Sequence, residues 1–213
     1  MLVDNPKPIT HKELLTLAQF AKGSIKHIYL HWTAGHYHQA YDDYHINIDA
    51  DGTVYRTCLD LRELKAHTWK RNSRSVGVAL CCAVDAQIID SRRIDFGPEP
   101  PTVQQIERMA EVVAYLCEGL GLPIDYTTVM THFEAAFKDG YAPGSGDPDM
   151  RWDLWLIPDH PITSSLRFGG PVLRGKALWY QHKHYEQEIQ AISAPKRRPA
   201  ELANGPLFND TVA

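Results

Sequence analysis

Two histidines close apolar, strand-like stretches of this chain: His31 ends IKHIYLH and His132 ends YTTVMTH. If the two strands are neighbours, both imidazoles enter one cleft. A carboxylate arriving on a later loop would complete a trio, and Asp147 in GSGDPD is well placed for it. Two neutral imidazoles and one carboxylate suit a zinc ion with a fourth position left for water, the pattern of a catalytic site. Spacing alone does not require this. A histidine at a strand end is more often a hydrogen-bonded core residue, and Asp149 lies in the same loop as a rival to Asp147.

The elements that must position these residues read as an α/β pattern. Thr10 and Glu13 have the form of a capping box opening a helix to about Lys22, with Leu14, Leu17, Ala18 and Ala21 on one face. Ile25 to Trp32 reads as a central strand. YHINID alternates, Asp51-Gly52 turns, and TVYRTC returns as a hairpin partner. Ser75 to Val84 is a second apolar strand, and Asp85 to Pro101 reads as a long loop. Thr102 and Gln105 form another capping signal before a helix carrying Ile106, Met109, Val113, Leu116 and Leu120. RWDLWLI is predicted as a short helix on the core, and Gly169 onward as a last helix. The expectation is a single α/β domain, a central mixed twisted sheet flanked by helices. Residues 1–160 form it (core about 24–157), with a C-terminal helical extension over 161–192 and a flexible tail over 193–213.

Composition limits the partners. The chain has 213 residues, is 44% hydrophobic and carries a formal charge of −4, so it can bury a core and offers no global positive field for nucleic acid. No apolar run is long enough for an integral membrane segment. The N-terminus lacks a basic start followed by an apolar stretch, which predicts synthesis in the cytoplasm without a classical signal peptide. Cys58, Cys81, Cys82 and Cys117 have no C-x-x-C spacing and read as buried reduced thiols.

Taken together, HWTAG, YHINIDADGTVYR, AHTWKRNSRSVGVAL, TH and GDPD resemble, in this order, the zinc-dependent N-acetylmuramoyl-L-alanine amidases of the type 2 family, which includes the peptidoglycan recognition proteins. The resemblance spans about Lys26 to Trp155, and GGPVLRGKALWYQ looks like prophage-type, endolysin-like members. It implies that Zn2+ is held by His31, His132 and Asp147. It implies a catalytic role for Tyr44 beside the metal, and groove positions for His45, His67 and Asn72. His67 could also protonate the leaving amine. Trp69 is a candidate groove aromatic, as are Tyr41 and Trp32, and Arg151 a candidate substrate-binding cation. His36 and His38 match nothing and read as solvated loop residues.

Two positions depart from the family pattern. Ala79 stands where many members carry a general-base glutamate, which shifts weight to Tyr44. Ser145 stands where a lysine often supports the oxyanion, so Arg151 or Lys138 would have to supply that charge. The His132 to Asp147 spacing is also long, and FEAAFKDGY reads as an insertion that shapes the groove or acts as a lid. The implied reaction is hydrolysis of the amide joining the lactyl group of N-acetylmuramic acid to L-alanine, in peptidoglycan or muropeptides, and it would take place at the wall after release or export. A non-catalytic peptidoglycan-binding module of the same fold is the alternative, and a metallohydrolase acting on another amide is a further one. Lys183 and the Lys196 to Arg198 run could contact an anionic wall, or simply be solvated.

Overall fold

The computed structural model describes residues 1–158 and 166–193. The strands are β1 (Lys7–Pro8), β2 (His27–Trp32), β3 (Ile46–Ile48), β4 (Val54–Arg56), β5 (Ser75–Leu80), β6 (Gln87–Asp90), β7 (Arg93–Asp95), β8 (Val129–Thr131), β9 (Leu156–Pro158) and β10 (Leu166–Phe168). The helices are α1 (His11–Phe20), α2 (Val103–Leu120), α3 (His132–Asp139) and α4 (Gly169–Ser193).

Helix starts follow local chemistry. Thr10 accepts the Glu13 N–H while Glu13 reaches back to the Thr10 N–H, and Thr102 with Gln105 repeats the arrangement at α2. Each such cap contributes on the order of 1 kcal/mol. Gly121 ends α2 at φ 68°, a left-handed turn that suits glycine. Thr131 and Glu134 form a third capping box. His132 is therefore the first residue of α3, not the last of a strand. Most of the segment expected as an insertion or lid is this helix.

A six-stranded mixed sheet runs in the order β1-β4-β3-β5-β2-β8. β2 lies parallel between β5 and β8, with His31 opposite Ala79 and Leu30 opposite Thr131. β3 joins β5 in parallel and β4 antiparallel. The two-residue alternation of a strand then sorts the side chains. Ile28, Leu30, Trp32, Ile46, Ile48, Val76, Val78 and Leu80 face one way, into a core shared with Leu14 and Ala18 of α1, Ile106, Met109 and Leu116 of α2, and Leu173 and Ala177 of α4. Burying each large aliphatic chain there contributes about 1.5–3 kcal/mol. Tyr29 and Met130 face the other way and pack on Ala135 of α3. His31, Gly77 and Ala79 alternate onto this second face, so the sheet separates a packing side from a chemical side.

Several expectations change. Asp85–Pro101 is no plain loop, because β6 and β7 pair antiparallel inside it. RWDLWLI forms no helix. A turn at Asp153-Leu154, with Leu154 at φ 57°, leads into β9, which pairs with β10. The four cysteines are buried and unpaired. No helix among the described residues is long and apolar enough to cross a membrane. The tail from 194 onward, with its Lys196–Arg198 run, lies outside the described residues.

Candidate metal centre and active site

Because β2 and β8 are parallel neighbours, His31 at the end of one and His132 just beyond the other converge. The Nδ1 atoms of His31 and His132 are 3.1 Å apart. The carboxylate between them belongs to Asp153, whose Oδ2 lies 3.1 Å from His31 Nδ1 and 3.0 Å from His132 Nδ1. Asp153 is held there by its backbone, since its carbonyl accepts the Phe133 N–H in the first turn of α3. Gly169 makes room for the turn: a Cβ at that position would sit 2.2 Å from the Leu154 carbonyl oxygen.

Asp153 thus takes the place expected for Asp147. The carboxylate of Asp147 caps its own loop, accepting the Asp149 N–H at 2.8 Å, and Asp149 is exposed. Both reach the rim of the pocket but not the histidine pair. The reason is local: glycines at positive φ, Gly144 and Gly146, turn the GSGDPD segment outward, and the chain returns to the sheet only at Asp153.

The donor set fits a metal ion. Burial lowers the His31 pKa to about 4, so its ring is neutral near pH 7; burial also works to raise the Asp153 pKa, but the adjacent His132 outweighs it and holds that carboxylate below the usual range. Partners fix the His31 tautomer. Its Nε2 faces Thr68 Oγ1 at 3.3 Å, Thr68 Oγ1 faces His67 Nδ1 at 2.9 Å, and His67 Nε2 faces Ser75 Oγ at 3.3 Å. Ser75 donates its proton to the carbonyl of Arg71 or Asn72. His67 Nε2–H then donates to Ser75, Thr68 donates to His67 Nδ1, and His31 Nε2–H donates to Thr68. That order leaves a lone pair on His31 Nδ1, aimed at a carboxylate oxygen and a second imidazole. One proton cannot bridge three such atoms, whereas a cation can. Separations of 3.0 to 3.1 Å are also near the ~3.3 Å edge of a tetrahedron with bonds of about 2.0 Å. Among the described residues, His31, His132 and Asp153 are the group of ligand atoms close enough together to hold a metal.

His132 forms one wall of a cavity of about 500 Å³, lined also by His67, Trp69, Asn72, Tyr141 and Arg151. Trp69 is 57% exposed and projects at its rim, with Lys70 Nζ 4.0 Å from its ring centre. Arg151 is exposed and donates to the Asp149 carbonyl. Asn72 has a loop-holding role as well: its side-chain oxygen accepts the N–H groups of His67 and Thr68. Arg71 ties the same loop to the end of α3 through two 2.6 Å bonds to Asp139.

His67 lines the cavity, yet both ring nitrogens are engaged, and burial with neighbouring histidines pushes its pKa down to about 2. It is a neutral link in the chain to His31, which argues against the proton-donating role expected for it. Its ring lies on Gly77, where a Cβ would fall 2.7 Å from His67 Cγ. His45 does not reach the cavity. It is fully buried, accepts the Gly77 N–H at Nδ1 and donates from Nε2 to the Glu63 carbonyl. Trp32 is likewise a core residue, packed on Phe96 and Trp152. Asn47 braces Tyr41 from both backbone groups. The Tyr44 ring sits 5.1 Å from that of His31, its hydroxyl 3.5 Å from the Trp32 carbonyl, and burial raises its pKa so that it stays protonated. Ala79 places only a methyl group beside His31, Ser145 accepts the Asp147 N–H, and Lys138 is exposed on α3. His36 and His38 are not merely solvated, because they pair with Glu99 and Asp49.

The family model for N-acetylmuramoyl-L-alanine amidases matches residues 21–149, more than half of the chain, and the protein belongs to this family. A solved structure of peptidoglycan recognition protein-LE, in complex with tracheal cytotoxin, a monomeric diaminopimelic acid-type peptidoglycan, is similar at 14% identity and a TM-score of 0.36. That similarity covers 62% of this chain and 75% of the other. Comparison with curated proteins found no match.

Proposed function

We propose that this protein is a zinc-dependent amidase that cleaves the bond between N-acetylmuramic acid and L-alanine in peptidoglycan or its fragments. The observation that carries the reading is the convergence of His31 Nδ1, His132 Nδ1 and Asp153 Oδ2 within 3.0 to 3.1 Å beside an open cavity. Zinc bound there would polarise the amide carbonyl and acidify a water molecule. Asp153 supplies the anionic ligand, while Thr68 and His67 keep the His31 lone pair directed at the ion. Tyr44, protonated beside His31, serves as a hydrogen-bond donor to the developing oxyanion. It does not serve as a base. Trp69 and Arg151 at the rim suit an extended ligand with a carboxylate-bearing stem.

With Ala79 on the strand beside His31, that strand offers no carboxylate for proton transfer. This favours, as the second reading, a module that binds peptidoglycan without cutting it. Muropeptides digested with zinc-loaded and with chelated protein, then resolved by mass spectrometry, separate the two. The amidase reading expects stem peptides with a free L-alanine amine from the loaded protein alone. Muropeptide binding with no cleavage in either sample would replace it with the binding module. Tyr44→Phe is expected to keep the metal and lose about 10²- to 10³-fold in turnover.

A further inference from the structure

The two histidines of the centre are not equally supported. His31 has a partner at each nitrogen: Nδ1 faces His132 and Asp153, and Nε2 faces Thr68. His132 uses Nδ1 in the same way, but its Nε2 is buried with no hydrogen-bond partner. Among the described residues, the other buried side-chain atom in that condition is the Tyr141 hydroxyl. The two orphan atoms belong to touching rings, with centroids 6.1 Å apart and planes at 74°. Tyr141 is 3% exposed and His132 5%.

We propose that Tyr141 is a positioning residue for His132: its hydroxyl oxygen receives the Nε2–H of that imidazole through one bridging water, and so keeps Nδ1 available to the cation. A metal-binding histidine usually donates its second ring N–H to such an acceptor, which sets both tautomer and ring angle. Thr68 fills that place for His31, and Tyr141 fills it for His132. A phenol can do so because its oxygen accepts while its own proton remains free to donate. The residue is also held in place. Its N–H donates to the Ala136 carbonyl at 2.9 Å, its carbonyl accepts the Arg151 N–H at 3.1 Å, and the Trp69 ring meets it edge-on at 5.3 Å. Gly140, at φ 83°, turns the chain from α3 into this position. Both unpaired atoms are buried from solvent, which favours a partner within the protein over one on the substrate.

This inference rests on the metal-site reading above, and its test separates the two. Zinc affinity of the full-length protein is measured by competition with a chromophoric chelator for wild type and Tyr141→Phe, alongside thermal unfolding in excess chelator. The expected result is about 10- to 100-fold weaker zinc binding in the variant with an unchanged unfolding midpoint. In proton–nitrogen spectra of the zinc-loaded wild type, the His132 Nε2 proton should be visible and protected from exchange, and Tyr141→Phe should remove that protection. Wild type that takes up no zinc overturns both readings. Equal zinc affinity in the two proteins overturns this one alone. If the variant cannot be loaded because it unfolds, the wild-type spectrum decides: a His132 protonated at Nδ1 overturns the proposal.

Discussion

Thr68 Oγ1 stands 3.3 Å from His31 Nε2 and 2.9 Å from His67 Nδ1, so one hydroxyl joins a histidine of the candidate metal centre to a second buried histidine. Replacing it with valine keeps the shape and removes the link. Thr68→Val should weaken zinc binding about 10- to 100-fold, read by chelator competition. Unchanged affinity would show that the tautomer of His31 is set elsewhere.

Asp153 and Asp147 should behave differently. Asp153→Ala removes the anionic atom between the histidines and should abolish stoichiometric zinc, measured by elemental analysis of the dialysed protein. Asp147→Ala removes only a loop cap and a rim carboxylate, so the metal should remain. The reverse pattern would restore Asp147 as the ligand.

Acid should destabilise the fold through buried histidines. His45 has its folded pKa lowered to about 4 by burial, against an unfolded value of about 6.5. Below 6.5 the unfolded chain binds a proton that the folded chain refuses, so stability falls as pH drops from 6.5 towards 4. For this fully buried group the loss is on the order of 3 kcal/mol. Urea midpoints at pH 7 and pH 4.5 should differ for wild type and differ less for His45→Gln. Equal pH slopes would assign the acid sensitivity to other groups.

Gly77 has no room for a side chain, because a Cβ would lie 2.7 Å from His67 Cγ. Gly77→Ala must push the His67 ring off the sheet or bend β5. A cost of about 1–3 kcal/mol is expected, measured by chemical denaturation, together with reduced zinc affinity through the Thr68 link. Wild-type stability would mean that the ring moves freely.

Much of this architecture is legible in the chain. Two capping boxes, the Asp51-Gly52 turn and the apolar strands around Ile28 and Val78 each follow from short-range chemistry. The pairing of His31 with His132 is legible too, since His31 lies in one apolar strand and His132 directly follows another, although His132 opens α3 and does not close β8. Asp153 was not, although THFE at 131–134 carries a capping signal that marks α3. Helical-looking RWDLWLI concealed a turn that holds Leu154 at positive φ and is accommodated by Gly169, a contact that no local pattern encodes. His45 and His67 could not be separated by residue type. Both rings lie on the same side of the sheet, 5.6 Å apart; His45 is closed in beneath the Glu63 carbonyl while the loop carrying His67 borders the cavity. Thr68 and Tyr141 had no sequence signal, because a hydroxyl acquires its role from what stands opposite it in space.

The atoms of the centre come from positions 31, 132 and 153, and two of them depend on a parallel pairing of β2 with β8 across about a hundred intervening residues. Such pairings form late and together with the rest of a domain. Metal capture should therefore act as a clock for completed tertiary structure: a zinc-sensitive dye followed during refolding would report arrival at the native state and no earlier stage.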